Sequence, residues 1–209
     1  MAVGDFFTAR VERIASGGAG VARITVPNGR GPASGGAPAA GGLTVFIDFT
    51  APGDLAAFRI KAPHKTWAEA ELVRVEEPSP NRVKAPCPYY GLCGGCSLQH
   101  LAYETQLAEK TAILKDAFIR IGGFSDLPEI RDVPSPPYGY RNRVQLHGGV
   151  EAPGFRGRRS GEIVPVQDCP VADSGIRRFL GKIGRGGSLP PAAHTVAPLP
   201  PLRGAKPPA

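Results

Sequence analysis

FFTARVERIASGGAGVARITV, residues 6–26, decides how the first third of this chain is read. Two alternating, β-branched runs, FFTARVERI and GVARITV, flank a cluster of glycines, which is the signature of a strand, a tight turn and a second strand. Gly17, Gly18 and Gly20 also invite comparison with a nucleotide-binding loop. SGGAGVAR does not complete G-x-G-x-x-G, however, and it lies between two strand signals rather than between a strand and a helix. Turn chemistry is the better reading.

Working outward, LTVFIDF (43–49), LAAFRIKA (55–62) and WAEAELVRV (67–75) repeat the pattern, separated by Gly, Pro and Asp. Five short strands predict a small barrel ending near Pro80. PNGRGPASGGAPAAGG (27–42) has too few large residues to fill a core and is expected to be an exposed, mobile hairpin connection. EEPSPNRVKAPCP (76–88) is proline-rich, as a domain edge would be. LAYETQLAEKTAILKDAFIRIGG (101–123) carries Leu107, Leu114, Phe118 and Ile121 at helical spacing and ends in two glycines, which predicts a helix whose apolar stripe is core. YRNRVQLHGGV and APGFRGRRSGEIVPV return to a β pattern and are expected to form an antiparallel meander. A short helix over 172–183 follows, and residues 184–209, rich in Pro, Gly and Ala, are expected to be disordered.

Composition sets the bounds. The 209 residues carry 25 Lys and Arg against 18 Asp and Glu, a formal charge of +7, which favours anionic partners such as nucleic acid. With 42% hydrophobic residues the chain reads as soluble and globular. No run approaches the ~18 apolar residues of a membrane helix, and MAVGDFFTARVER has no secretory signal character, so a cytoplasmic, reducing location is expected, without a membrane partner.

In that setting four cysteines are metal ligands or redox groups more readily than disulfides. Cys87, Cys93 and Cys96 are spaced C-x5-C-x2-C within CPYYGLCGGCSLQH, and Cys169 lies far downstream in DCPV. Three close thiolates, glycines that free the backbone to turn its N–H groups inward, and one remote thiolate suit a [4Fe-4S] cube with one Cys per iron. Other readings stay open on spacing alone: a zinc site, with or without His100; disulfides; a redox pair at Cys93 and Cys96; or, for Cys169, a buried inert thiol. His100 reads better as a polar residue near the helix start than as a ligand.

For anion contact, Arg141 and Arg143 share one face of a predicted strand, and Arg156, Arg158 and Arg159 follow on the next. Such a group suits RNA phosphates, with Tyr138 or Tyr140 stacking on an unpaired base; the competing reading is a solvated strand face.

The order of these segments carries a resemblance. A small barrel, then PSPNRVKAPCPYYGLCGGCSLQHLAYETQLAEK (78–110), YRNRVQLH (140–147) and GFRGRRSGEIVPVQDCPV (154–171), is similar to the N-terminal part of the SAM-dependent RNA (uracil-5-) methyltransferases that carry a TRAM domain and a [4Fe-4S] cluster. The resemblance implies that residues 1–80 are an OB-like TRAM barrel that binds RNA, and that residues 81–183 are a small α+β iron–sulfur domain with an antiparallel sheet. It implies that Cys87, Cys93, Cys96 and Cys169 are the cluster ligands. The family's S-adenosyl-L-methionine site, cysteine nucleophile and acidic base belong to a further domain with no counterpart in these 209 residues, so no catalytic residue is assigned. Two expectations follow: the RNA-recognition portion of a 23S rRNA or tRNA methyltransferase, truncated or completed by a separately encoded catalytic chain; or a stand-alone iron–sulfur or zinc RNA-binding module without methyl transfer.

Overall fold

The computed structural model describes residues 1–25, 42–148 and 153–183, which fall into two compact units parting between Arg82 and Val83. The expected loop, apart from Gly42, and the Pro-rich tail lie outside the described residues.

In the first unit, β1 (Phe6–Ile14), β2 (Gly20–Thr25), β3 (Gly42–Ile47), β4 (Leu55–Pro63) and β5 (Trp67–Glu77) close into a barrel in the order β1-β2-β3-β5-β4. Every pairing is antiparallel except β3 with β5, which is parallel. This is the strand order of an OB-like barrel. Closure leaves no free sheet edge, and the two-residue period sends alternate side chains inward. Val11, Ile24, Leu43, Val45, Ile47, Phe58 and Ile60 fill the interior, with Ala22, Ala56, Ala68 and Ala70 making room for Phe58. The glycines between β1 and β2 do what a turn requires: Gly17 and Gly18 sit at φ of 101° and 91°, where a Cβ would be strained.

One end of the barrel is tied by a buried ion pair. Asp54 and Arg82 side chains are 0% and 5% exposed, with Arg82 Nη2 2.6 Å from Asp54 Oδ2. The carboxylate also accepts from the Ala51 and Ser79 backbone N–H groups at 2.7 and 2.8 Å, and from Arg82 Nε at 3.2 Å. Arg82 Nη2 donates in addition to the Phe49 carbonyl at 2.8 Å. Such a pair is tolerated in the interior because its polar atoms are satisfied.

The second unit contains α1 (Tyr103–Arg120), the short strands β6 (Gly154–Arg156) and β7 (Ile163–Pro165), paired antiparallel, and α2 (Ser174–Ile183). Asp173 caps α2, its Oδ1 accepting from the Ile176 N–H at 2.8 Å, and Leu180 is buried with Tyr89 and Val166. Two expectations are corrected here. YRNRVQLH is not a strand: among its residues only Arg141 and His147 form isolated bridges, to Ala172 and Gly154, so the meander reduces to β6 and β7. Secondly, α1 forms and stops before its two glycines, but none of its residues is buried. Leu114 and Phe118 are exposed and Leu107 is half-buried, while Ile121, just past the helix, is 85% exposed. Helical spacing says which side of a helix is apolar; it does not say what covers that side.

Candidate metal centre

The cysteine segment is a succession of turns held by backbone bonds. The Tyr90 N–H donates to the Cys87 carbonyl at 3.1 Å, and the Leu92 and Cys93 N–H groups donate to the Tyr89 carbonyl at 3.1 and 2.9 Å. The chain after β6 then docks on this loop. Gly94 N–H donates to Arg156 O at 2.9 Å, Arg158 N–H to Leu92 O at 2.8 Å, and Cys93 bridges Gly157. Gly94 suits that close approach, since a Cβ there would lie 3.2 Å from both the Arg156 and Gly157 carbonyl oxygens, a tight contact.

Tyr90 and His100 clasp the same loop from within. The Tyr90 hydroxyl donates to the Ser97 carbonyl at 2.8 Å and lies 2.5 Å from His100 Nδ1. A hydroxyl has one proton, so if Ser97 receives it, His100 Nδ1 is the protonated nitrogen and donates to Tyr90. His100 is 1% exposed and is occupied as a polar clasp.

Cys169 reaches this loop from the far end of the unit. Its N–H donates to Asp168 Oδ1 at 2.8 Å, and Arg177 of α2 grips both oxygens of Asp168 at 2.7 Å, holding that carboxyl below its usual range chiefly through these hydrogen bonds. The Gln167 N–H donates to the Tyr89 hydroxyl at 3.0 Å, joining the DCP turn to the residue two after Cys87. Cys87, Cys93 and Cys169 all pack against the core of Tyr89, Val166 and Leu180.

All four cysteines are free thiols, half-buried, and close enough to feel one another's charge. Burial first, and then the charges of Cys96, Cys169 and Cys93, push the Cys87 thiol up to about 11. Burial likewise raises Cys93 and Cys169, with Arg141 opposing both shifts. Among the described residues no group of three or more His, Cys, Asp or Glu side chains is placed to hold a metal ion. A mononuclear zinc with Zn–S of ~2.3 Å needs thiolates ~3.8 Å apart, whereas a cube holds one thiolate on each of four irons and accepts a wider spread. Four thiolates are a donor set that either group can use. The Gly95 N–H points at Cys93 Sγ at 3.4 Å, the kind of backbone donor that sulfur ligands accept.

Of the five arginines only Arg156 lies on a strand, β6. Arg141 is half-buried, with Nη1 beside Gly95 and the thiols; Arg158 is half-buried, with Nη1 3.4 Å from Ser97 Oγ. Arg143, Arg156 and Arg159 are exposed, and Arg159 sits at φ 50° in the turn after β6. Tyr140 is exposed, and Tyr138, 38% exposed, has its hydroxyl raised by burial and by Cys96 and Cys87, which places it near the same loop. The Tyr90–His100 clasp and the Asp168–Arg177 clamp were not legible as such, although polar residues flanking each cysteine were the available signal.

No protein-family model matches the chain. An uncharacterized RNA methyltransferase of Aquifex aeolicus is 35% identical over 174 residues, 83% of this chain and 37% of that protein. The 23S rRNA (uracil(1939)-C(5))-methyltransferases of Shewanella denitrificans and Chromohalobacter salexigens are 37% and 34% identical over 62% and 83% of the chain, and 30% and 34% of their own lengths. Among solved structures, the Pyrococcus abyssi tRNA (uracil-54, C5)-methyltransferase in complex with S-adenosyl-L-homocysteine aligns with a TM-score of 0.52 and 30% identity, over 85% of this chain and 36% of that one. The chain spans about a third of the length of these relatives. It is a homologue of the N-terminal part of the RNA uracil-5 methyltransferases.

Proposed function

We propose that these residues form the RNA-recognition and [4Fe-4S]-binding portion of a SAM-dependent (uracil-5-) methyltransferase acting on 23S rRNA or tRNA. The observation that carries the reading is the meeting of Cys169 with the Cys87–Cys96 loop across more than 70 residues of chain, in a homologue of enzymes that methylate uracil in RNA. Cys87, Cys93, Cys96 and Cys169 would each hold one iron, and the bound cluster supplies a cross-link between that loop and the DCP turn. Arg141 sits where it offsets thiolate charge, and Tyr90 with His100 fixes the loop before any metal arrives. Arg143, Arg156 and Arg159, which are exposed, would meet phosphate, and the half-buried Arg141 and Arg158 lie beside Gly95 and Ser97 of the cysteine loop. S-adenosyl-L-methionine and the transfer step belong to parts of the relatives outside the matched third.

No helix among the described residues is long and apolar enough to cross a membrane. The test is anaerobic purification with iron and acid-labile sulfide analysis, joined to an RNA-binding titration in rising salt. About four irons and four sulfides per chain, with affinity falling steeply as salt rises, are expected. A colourless protein holding one zinc and no sulfide overturns the cluster, and salt-independent binding overturns the phosphate contacts.

A further inference from the structure

The outer face of the barrel carries a group of rings that its core does not need. On the outward side of β3 and at the start of β5, Phe46 and Trp67 meet edge to face with centroids 5.5 Å apart. His64, in the turn between β4 and β5, lies parallel to Trp67 with centroids 3.7 Å apart and planes 18° apart. The turn closes on itself through the His64 N–H and the Trp67 carbonyl at 2.8 Å, so the imidazole is held over the indole by the backbone. His64 is exposed and Trp67 is half-buried, which leaves the outer face of the His64 ring towards solvent.

Cations border these rings. Arg23 of β2 stands opposite Thr44 of β3, which stands opposite Trp67, so Arg23, Thr44 and Trp67 form one row across three strands. Lys65 is exposed in the turn itself, and Lys61 is exposed on β4. Two acids stand among these cations: Glu12 Oε2 is 3.7 Å from Arg23 Nε, and Glu69, opposite Phe46 in the ladder, lies two residues after Trp67, where Lys65 lies two before it. A ring stack with Lys65 on its turn side suits a base over the ring and its phosphate beside Lys65, while Arg23 shares its charge with Glu12. Barrels with this strand order take single-stranded nucleic acid on the face of strands 2 and 3 and at the loop between strands 4 and 5, and the rings occupy that ground.

We propose that His64, backed by Trp67 and Phe46, is a stacking platform for an unpaired base of single-stranded RNA, with Lys65 holding the adjoining phosphate. The proposal rests on the RNA-recognition reading above, and it names a site that the arginines of the second unit do not include. A stacked base on a pre-built ring pair is sequence-tolerant, because every base has a π face. The site therefore grips a flanking nucleotide rather than choosing the target uridine.

Trp67 is the chain's one tryptophan, so its emission reports this site alone. The full chain is titrated with a fluorescein-labelled oligouridylate, followed by anisotropy, and with the unlabelled strand, followed by Trp67 emission; a labelled RNA duplex is the comparison. The single strand is expected to quench Trp67 with the same midpoint as the anisotropy change, and the duplex to leave the emission unchanged. H64A should weaken single-strand binding about tenfold, while H64F, which keeps a ring over Trp67, should restore most of it. Binding seen by anisotropy with Trp67 unquenched, or with H64A equal to the parent, overturns the platform and leaves the RNA-recognition reading standing. Equal quenching by duplex also overturns it. No binding of either RNA at low salt overturns both.

Discussion

Replacing Arg82 with Met tests what closes the barrel. The substitution keeps much of the buried stem but removes the bonds from Arg82 Nε and Nη2 to Asp54 and from Nη2 to the Phe49 carbonyl. Asp54, 0% exposed, keeps only the Ala51 and Ser79 N–H donors, and its charge is left without a cation. Breaking a buried pair from one side costs about 3–5 kcal/mol, more than exposed pairs such as Arg10–Glu77 contribute. Urea unfolding followed by Trp67 emission reads the barrel unit directly. With a slope of about 1 kcal/mol per M for so small a unit, the midpoint should fall by about 3–5 M. The double variant R82M/D54N removes the stranded charge as well, and should be more stable than R82M by at least about 1 kcal/mol. A cost for R82M below about 1 kcal/mol, or strict additivity in the double variant, would refute the view that the pair is a buried, mutually dependent closure.

Cys169→Ser should lower the iron content of anaerobically purified protein severalfold while leaving the barrel's urea midpoint unchanged; iron analysis and Trp67 emission check the two halves, and full iron retention contradicts Cys169 as a ligand. Tyr90→Phe removes one hydroxyl that serves both Ser97 and His100, at a cost of about 1–3 kcal/mol to the loop. Its expected signature is faster loss of iron to a chelator than in the parent, measured by absorbance decay. The metal-free protein has a defined pH dependence. The Cys87 thiol, raised to about 11, stays protonated in the folded chain after unfolded thiols have begun to ionise. Stability from this source is therefore intact below about 9 and declines as pH rises from there towards 11, since the unfolded state loses protons first. Thermal melts across that window should show the decline, and a rise in stability over it would contradict the sign.

The barrel was legible almost residue by residue because its information is local. Alternation in FFTARVERI and LTVFIDF sets which side faces the core, and glycines or prolines mark each end, so β1 falls at Phe6–Ile14 as the pattern implies. YRNRVQLH shows the limit. Its alternating look would suit a strand, but Arg141 pairs its backbone with Val171 and Asp173 and turns its guanidinium towards the cysteines, so tertiary contacts override propensity. α1 fails differently: its spacing predicted the helix correctly and its burial wrongly. The cysteine residues were legible as a group, whereas the clasp that holds them was not, since the Tyr90–His100 and Arg177–Asp168 partnerships depend on turns that no periodicity encodes. The rings at His64, Trp67 and Phe46 are a mixed case: the turn between β4 and β5 stacks His64 on Trp67, and the parallel pairing of β3 with β5 brings Phe46 to them from a distant stretch of sequence.

The two units differ in what holds them, and that difference makes a last prediction. The barrel buries eleven apolar residues in one cluster, whereas the cluster beside the cysteines in the second unit has Tyr89, Val166 and Leu180 buried, with three of the cysteines packed on its rim, and Leu101, Val171 and Ala172 are buried elsewhere in that unit. Fully burying a large side chain contributes about 1.5–3 kcal/mol, so three such residues offset the ordering of only a few. A cluster this small gains from a cross-link, and four iron–thiolate bonds joining residue 87 to residue 169 would provide one. Removing the metal should then lower the melting temperature of the second unit alone. Hydrogen exchange is the assay that separates the units: amides of β6, β7 and α2 should lose protection on chelation, while those of β1 to β5 keep theirs. If the amides around Leu180 and Val166 stay protected in iron-free protein, the small core suffices by itself and the cysteines serve something other than folding. If the barrel amides open together with them, the two units unfold as one, and the boundary at Arg82 and Val83 is not a thermodynamic one.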